Sequence, residues 1–260
     1  MWYVVPLKWR VGKTLSNFLT LKDLEELWHT VKRIPLGCDS IDNLLEGGFL
    51  THSITLIYGE RSSGKTQLCL QLTAHTLTTS DDYLVYIDVD STFAPERVAA
   101  MIGAIKGSGK VDKKVLSRVM YYKPSTFEEQ SNIVSSLYEL WRRSHYRLVI
   151  IDSLSTLIRG EYGIATIERQ RALSSYIRTL QLYALKTGVA VIATDNVYQI
   201  EDQGEENLLP SSHNAFELST TRIRLRKSVG SKRICRVEAS PLIPEGEAAF
   251  IITESGLQSL

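Results

Sequence analysis

The sequence predicts an α/β fold: a central, mostly parallel sheet with helices on both faces and an antiparallel extension at its C-terminal end. Three observations carry this. A strand, a glycine loop and a helix follow one another from Ile54 to Ala74. Apolar strand-like runs then alternate with helix-like stretches, which is the pattern of a parallel sheet buried on both sides. Finally, three strand-like runs after Thr221 are joined only by short turns, as antiparallel strands are.

The first stretch is the most informative. Ile54-Thr-Leu-Ile-Tyr58 is apolar and β-branched. Gly59-Glu-Arg-Ser-Ser-Gly-Lys-Thr66 fits G-x-x-x-x-G-K-[ST], and Gln67 to Ala74 reads as a helix. In that context the pattern predicts a phosphate-binding loop. Backbone N–H groups of Gly59, Glu60, Arg61, Ser62, Ser63, Gly64, Lys65, Thr66 and Gln67 are expected around one concavity, where the helix dipole favours an anion. Gly59 and Gly64 are expected to let the backbone approach phosphate oxygens closely. Lys65 is assigned to the β- and γ-phosphates, and Thr66 to Mg²⁺.

Ahead of the loop, Thr20-Leu-Lys-Asp23 reads as a capping box with Thr20 as N-cap. Leu21, Leu24, Leu27, Trp28 and Val31 follow at helical spacing, giving a short amphipathic helix that needs something to pack on. A turn, a short helix and Gly47-Gly48 lead to the phosphate-loop strand. Residues 1–33 are therefore read as a linker with a short helix, and 34–260 as the core.

Behind the loop, Tyr83 to Asp90 reads as a buried strand ending in acids, and Pro95 lies near the start of the next helix. Gly107 to Lys114 is a polar connection, and Val119 to Tyr122 a strand. Ser125 to Arg143 is a long helix opened by the capping box Ser125-Thr-Phe-Glu128. Arg147 to Asp152 is an apolar strand ending in a carboxylate. A segment poor in core residues, Leu157 to Ile167, precedes a helix over Glu168–Lys186, the strand Val189–Thr194 and a loop over 199–212. Thr221–Leu225, Arg233–Glu238 and Ala248–Ile252 close the chain as strands.

Ligands of parallel sheets bind beyond the carboxyl ends of the strands. Asp152 stands at such an end after four apolar residues, the pattern of an Mg²⁺-side carboxylate. Asp88 and Asp90 end another strand, and either is placed to polarise a water or to cap a turn. Asp195-Asn196 ends a third, where an amide can sense the γ-phosphate. Arg97 is expected near a bound base. Arg159, Arg169 and Arg171 flank a loop at the same edge and are the candidates for contacts to a nucleic-acid backbone.

Bulk properties exclude little. With 43% hydrophobic and 23% charged residues, the 260-residue chain can bury a large core without staples. A formal net charge of +1 means that any nucleic-acid site is a local patch. Cys38, Cys69 and Cys235 are scattered and lack metal spacing, which fits structural thiols in a reducing compartment. No apolar run approaches the roughly 20 residues of a membrane span, so the expectation is cytoplasmic, or nuclear in a eukaryote, with no membrane partner.

The chain resembles the RecA/RadA recombinase family, most closely its archaeal RadA and RadB branch with the eukaryotic paralogues. The likeness rests on Leu36-Gly-Cys-Asp-Ser-Ile-Asp-Asn-Leu-Leu-Glu-Gly-Gly48 and on Tyr86-Ile-Asp-Val-Asp-Ser-Thr-Phe-Ala-Pro-Glu-Arg97. It also rests on the closing runs Ser219–Lys227, Lys232–Cys235 and Ser240–Phe250. It implies a RecA-like ATPase core that binds ATP and Mg²⁺ and works in homologous recombination on single-stranded DNA. Under it, Asp90 stands where the family has a catalytic glutamate, and Asp195-Asn196 replaces an Asn-Gln pair, with Asn196 as the γ-phosphate sensor. The two DNA loops would be Leu157–Ile167, with Arg159, and Val197–Ser212, which here carries Glu201, Asp202, Glu205 and Glu206. Phe18 and Leu21 stand where the family has a Phe-x-x-Ala oligomerisation motif. Residues 1–17 are too short for the family's helix-hairpin-helix domain. The resemblance thus implies an accessory paralogue of RadB type or, as the other possibility within the family, a truncated recombinase core. The partner would be a recombinase or paralogue subunit in a homo- or hetero-oligomer, and the activity a weak DNA-dependent ATPase.

Overall fold

The computed structural model describes residues 20–107, 112–162, 167–198, 209–210 and 221–260. Its centre is a ten-stranded sheet. The phosphate-loop strand β3 (Ser53–Gly59) is flanked by β7 (Ala190–Tyr198) and then β6 (Tyr146–Asp152), β4 (Tyr83–Asp88) and β5 (Val119–Tyr122). On its other side come β9 (Thr221–Lys227), β10 (Lys232–Ala239), β11 (Gly246–Thr253) and β12 (Gly256–Ser259). Pairing is parallel from β5 across to β9 and antiparallel from β9 to β12, as expected. The fourth closing strand, β12, escaped the sequence because Ser255 and Gly256 read as a loop end. Β1 (Arg33–Ile34) and β2 (Phe49–Leu50) form a separate antiparallel pair beneath the core.

Period-two alternation explains the two cores. In β3, Ile57 faces one hydrophobic cluster, while Ile54, Leu56 and Tyr58 face the other. Β6 splits the same way, Leu148 and Ile150 against Val149 and Ile151. Helices cover each face. Α2 (Asp39–Leu44), α3 (Lys65–Thr79) and α4 (Pro95–Lys106) lie over the first cluster, with Ile41, Leu68, Leu72 and Met101 fully buried. Α6 (Phe127–Arg143) and α8 (Ile167–Thr187) lie over the second through Val134, Leu137, Ile177 and Leu180. A four-residue helix, α5 (Lys113–Leu116), precedes β5. Cys38, Cys69 and Cys235 are buried and free, and burial pushes the Cys235 thiol up to about 12.

Several boundaries differ from expectation. Α6 is capped by Thr126, not Ser125. The Thr126 hydroxyl accepts from Glu129 N at 3.1 Å, and the Glu129 carboxylate accepts from Ser125 N at 2.7 Å. The capping pair is thus one residue further along than the sequence reading. The segment 157–167 is not a loop throughout, because α7 (Thr156–Tyr162) turns Ile158 into the core and α8 begins at Ile167. Β7 continues four residues past Thr194 and pairs with β8 (Leu209–Pro210) through Val197 and Tyr198. Val197, Tyr198, Leu209 and Pro210 of the expected second loop are therefore strand; Glu201, Asp202, Glu205, Glu206 and Ser211–Ser212 lie outside the described residues. So does Phe18. Leu21 opens α1 (Leu21–Trp28) and is 85% exposed, as Trp28 is to 56%.

Candidate nucleotide site

The carboxyl edge of the sheet holds a cavity of 840 Å³, walled by the glycine loop and by the ends of β4, β6 and β7. Β3 ends at Gly59, and α3 starts at Lys65 behind Gly64, whose φ of 111° is left-handed. Only glycine adopts that angle without strain. Gly59 has a different task from the one expected. A Cβ there would lie 2.1 Å from the Leu225 carbonyl, so Gly59 lets β3 pack close to β9. Glu60 also faces away from the cavity, accepting from Lys227 N at 3.0 Å, and Ser63 is buried beneath the loop. Arg61, Ser62, Gly64, Lys65, Thr66 and Gln67 line the cavity as the motif requires.

Lys65 folds back, its ammonium donating to Gly59 O at 2.7 Å and Glu60 O at 2.9 Å. It is 8% exposed. Burial lowers its pKa, against the opposing pull of Asp152, Asp195, Asp90 and Glu60. Next to it the Thr66 hydroxyl donates to Asp152 Oδ2 at 2.8 Å. Asp152 is almost fully buried, and its oxygens also accept from Tyr86 OH at 3.2 Å, Thr92 Oγ1 at 3.4 Å and Thr194 Oγ1. Burial raises its pKa, and the hydroxyls pull it back down. A buried carboxylate beside a threonine hydroxyl is a hard oxygen pair of the kind Mg²⁺ takes, so the donor set fits a magnesium nucleotide.

The two acids after β4 have separate roles. Asp88 is a cap: it accepts from Thr92 N at 2.9 Å, Phe93 N at 3.2 Å and Tyr121 OH at 3.0 Å. Asp90 lines the cavity, held by its N–H on Asp152 O at 3.1 Å and by Ser153 Oγ at 3.3 Å. At the end of β7, Asn196 lines the cavity, whereas Asp195 is fully buried and accepts from Ser155 Oγ and Asn196 N.

The arginines separate further. Arg97 does not line the cavity. Its guanidinium donates to Gln67 Oε1 at 3.0 Å and to the carbonyls of Thr253 and Glu254, so its N–H edges are unavailable for reading a base. Arg159 lines the cavity from α7. Arg169 is 4% exposed and lies near Asp195, which removes it as a direct contact to a phosphate backbone. Arg171 is exposed on α8.

Thr92, Thr156, Arg233 and Ile252 also line the cavity and were not singled out in the sequence. Thr92 and Thr156 follow strand-end acids, a signal that was there to be used. Arg233 and Ile252 reach the cavity only through the order of the strands. Among the described residues no group of His, Cys, Asp and Glu forms a metal cluster, and no described helix is long and apolar enough to cross a membrane.

A sheet of this order, with a glycine loop and a strand-end carboxylate at its carboxyl edge, defines a RecA-like phosphate-loop fold. The chain belongs to the Rad51 family, whose family model matches residues 28–260. Among its relatives is the DNA repair and recombination protein RadA of Metallosphaera sedula, 32% identical over 93% of this chain and 77% of that protein. Another is the DNA repair protein Rad51 homolog of Drosophila melanogaster, 34% identical over 93% of this chain and 74% of that protein.

Proposed function

We propose that the protein binds ATP with Mg²⁺, hydrolyses it weakly, and assists or regulates a strand-exchange recombinase on single-stranded DNA during recombinational repair. The observation that carries the nucleotide part is the Thr66–Asp152 hydrogen bond beside Lys65 at the carboxyl edge of a parallel sheet. Thr66 and Asp152 would hold Mg²⁺, which when bound neutralises charge on the β- and γ-phosphates. Lys65 would exchange its two loop carbonyls for phosphate oxygens. Asp90 would orient the attacking water and accept its proton, and Asn196 would hold the γ-phosphate end.

Asp90 would make hydrolysis weak. Its side chain is one methylene shorter than glutamate and already accepts from Ser153, so its reach into the cavity is limited. A nucleotide-gated binding module without useful turnover is the second reading, supported by the same residue.

DNA contact would be weak, because Arg171 is exposed while Arg159 turns to the nucleotide and Arg169 is buried. A shallow salt dependence, on the order of one to three phosphates, follows. The partner is a recombinase or paralogue subunit engaged through Phe18 and Leu21, which fits an accessory paralogue of RadB type.

The test is Lys65→Ala. The side chain is the mobile cation of the site and packs into no core cluster, so the variant should fold. ATP affinity should fall by at least about tenfold, and turnover with or without single-stranded DNA should disappear. Unchanged affinity in a folded variant would remove the phosphate-loop assignment.

A further inference from the structure

The phosphate loop lies in the middle of the sheet, and its two sides are unlike. On the side of β7, β6 and β4 stand Asn196, Asp152 and Asp90, the metal and γ-phosphate end. On the other side, β10 runs antiparallel to β9, so the start of β10 lies at the carboxyl edge. The end of β11 lies there too. Arg233 is the second residue of β10, and Ile252 is one residue from the end of β11. Both line the nucleotide cavity.

Arg233 is built into that wall. Its Nη1 donates to the Ser231 carbonyl at 2.9 Å, which fixes the head of the side chain. Its Nε is buried and finds no hydrogen-bond partner among the described residues. A Cβ placed on Gly64 would lie 3.5 Å from Arg233 Cδ, 3.7 Å from Arg233 Nε and 3.0 Å from Ile252 Cδ1. The orphaned donor is therefore beside the last loop residue, at the N-terminus of α3. A buried guanidinium N–H without an acceptor is costly, and a phosphate oxygen is the acceptor it suits best.

We propose that Arg233 is a nucleotide-binding residue: its guanidinium takes the α-phosphate, and Ile252 beside it forms the apolar floor of the nucleoside end. The proposal rests on the reading of the cavity as an ATP site and extends it to the side away from the metal. Four cations (Arg61, Lys65, Arg159 and Arg233) then face two carboxylates (Asp90 and Asp152) around the cavity, an excess suited to a polyphosphate.

The experiment measures Mg-ATP and Mg-ADP affinity by titration calorimetry on the full chain carrying Arg233→Gln, Arg233→Lys or no change. The α-phosphate is common to both nucleotides, so Arg233→Gln should weaken ATP and ADP by the same factor, about tenfold or more. Arg233→Lys should lose less, since it keeps the charge but not the planar fork. In steady-state assays KM should rise with kcat unchanged, and the melting temperature without nucleotide should stay within about a degree of the unaltered protein.

Loss of ATP affinity alone, with ADP unaffected, would place Arg233 at the γ end and overturn the proposal. Equal affinities in all three proteins would overturn it too. If the unaltered chain binds neither nucleotide, the ATP reading itself fails. Binding by the unaltered chain together with indifference to Arg233 fails only this inference. Should Arg233→Gln not fold, the ATP-to-ADP comparison on Arg233→Lys decides in the same way.

Discussion

Asp152 shows how a functional residue works against the fold that holds it. Burial raises its pKa, so the folded chain keeps this proton to a higher pH than the unfolded chain does. Stability therefore falls as pH rises from the unfolded pKa through the raised folded one, and above that window the buried charge is a constant cost. Asp152→Asn removes the charge and leaves an amide among the hydroxyls of Thr66, Thr194 and Tyr86. The variant should melt at higher temperature than the unaltered protein at pH 7, with the difference shrinking in acid, and should lose the Mg²⁺ dependence of ATP binding. Thermal melts from pH 7 downward check the first point; a lower melting temperature at pH 7 would mean that the hydrogen bonds outweigh desolvation. Asp90 gives the complementary case. Asp90→Glu adds the missing methylene, and turnover should rise by about tenfold or more if the site is an ATPase limited by the reach of its base. A flat ATPase rate with unchanged ATP affinity would favour the nucleotide-gated module.

Α6 illustrates what the sequence could and could not resolve at the level of elements. The stretch Ser-Thr-Phe-Glu-Glu offers two overlapping boxes, and composition does not choose between them. The structure uses Thr126 and Glu129, because that register turns Phe127, Gln130, Val134 and Leu137 inward. Thr126→Ala should therefore destabilise by about 1 kcal/mol and lower the melting temperature by a few degrees. Ser125→Ala should change little, since Ser125 contributes only its backbone N–H to Glu129. The reverse ranking in thermal melts would restore the register read from sequence. The buried strands β3, β6 and β7 were legible because each is an unbroken apolar run ended by a polar residue, and the glycine loop because its spacing is nearly unique. Α7 was not, since Arg159 and Gly160 mask a helix whose sole buried apolar anchor is Ile158. The half of the cavity wall formed by the glycine loop and Asp152 was legible for the same reason as the loop. The Arg233–Ile252 wall was hidden, because two strands far along the chain meet the loop only through sheet order. The placement of Arg97 was not legible, because two of its three partners are backbone carbonyls, which leave no mark on a sequence.

At the scale of the whole molecule, α1 carries two exposed apolar side chains at its ends. Α1 leaves Leu21 85% and Trp28 56% exposed, while Val31 just beyond it packs on the core. Large apolar side chains displayed this way are better suited to a neighbour than to water. Among the described residues the sheet ends in β5 on one side and β12 on the other, and a half-exposed Tyr121 lies on β5. An extended segment can add to such an edge through main-chain hydrogen bonds, with pockets beside it choosing the side chains. In the oligomer proposed above, Phe18 would be the apolar anchor, with Leu21 adding to the contact from the start of α1. Burying a phenylalanine stabilises by roughly 1.5–3 kcal/mol, which is a factor of about ten or more in an association constant. Phe18→Ala should therefore weaken association with a second copy or with a recombinase subunit by about tenfold or more. Its melting temperature in dilute solution should stay where it was. Leu21→Ala should behave the same way to a smaller degree, since a side chain so exposed contributes little to the monomer. Sedimentation across a concentration series, alone and with the partner, reads the first quantity, and melting curves at the lowest concentration read the second. A fall in melting temperature with association unchanged would mean that Phe18 folds back on its own core, and would remove the linker as the contact to a partner.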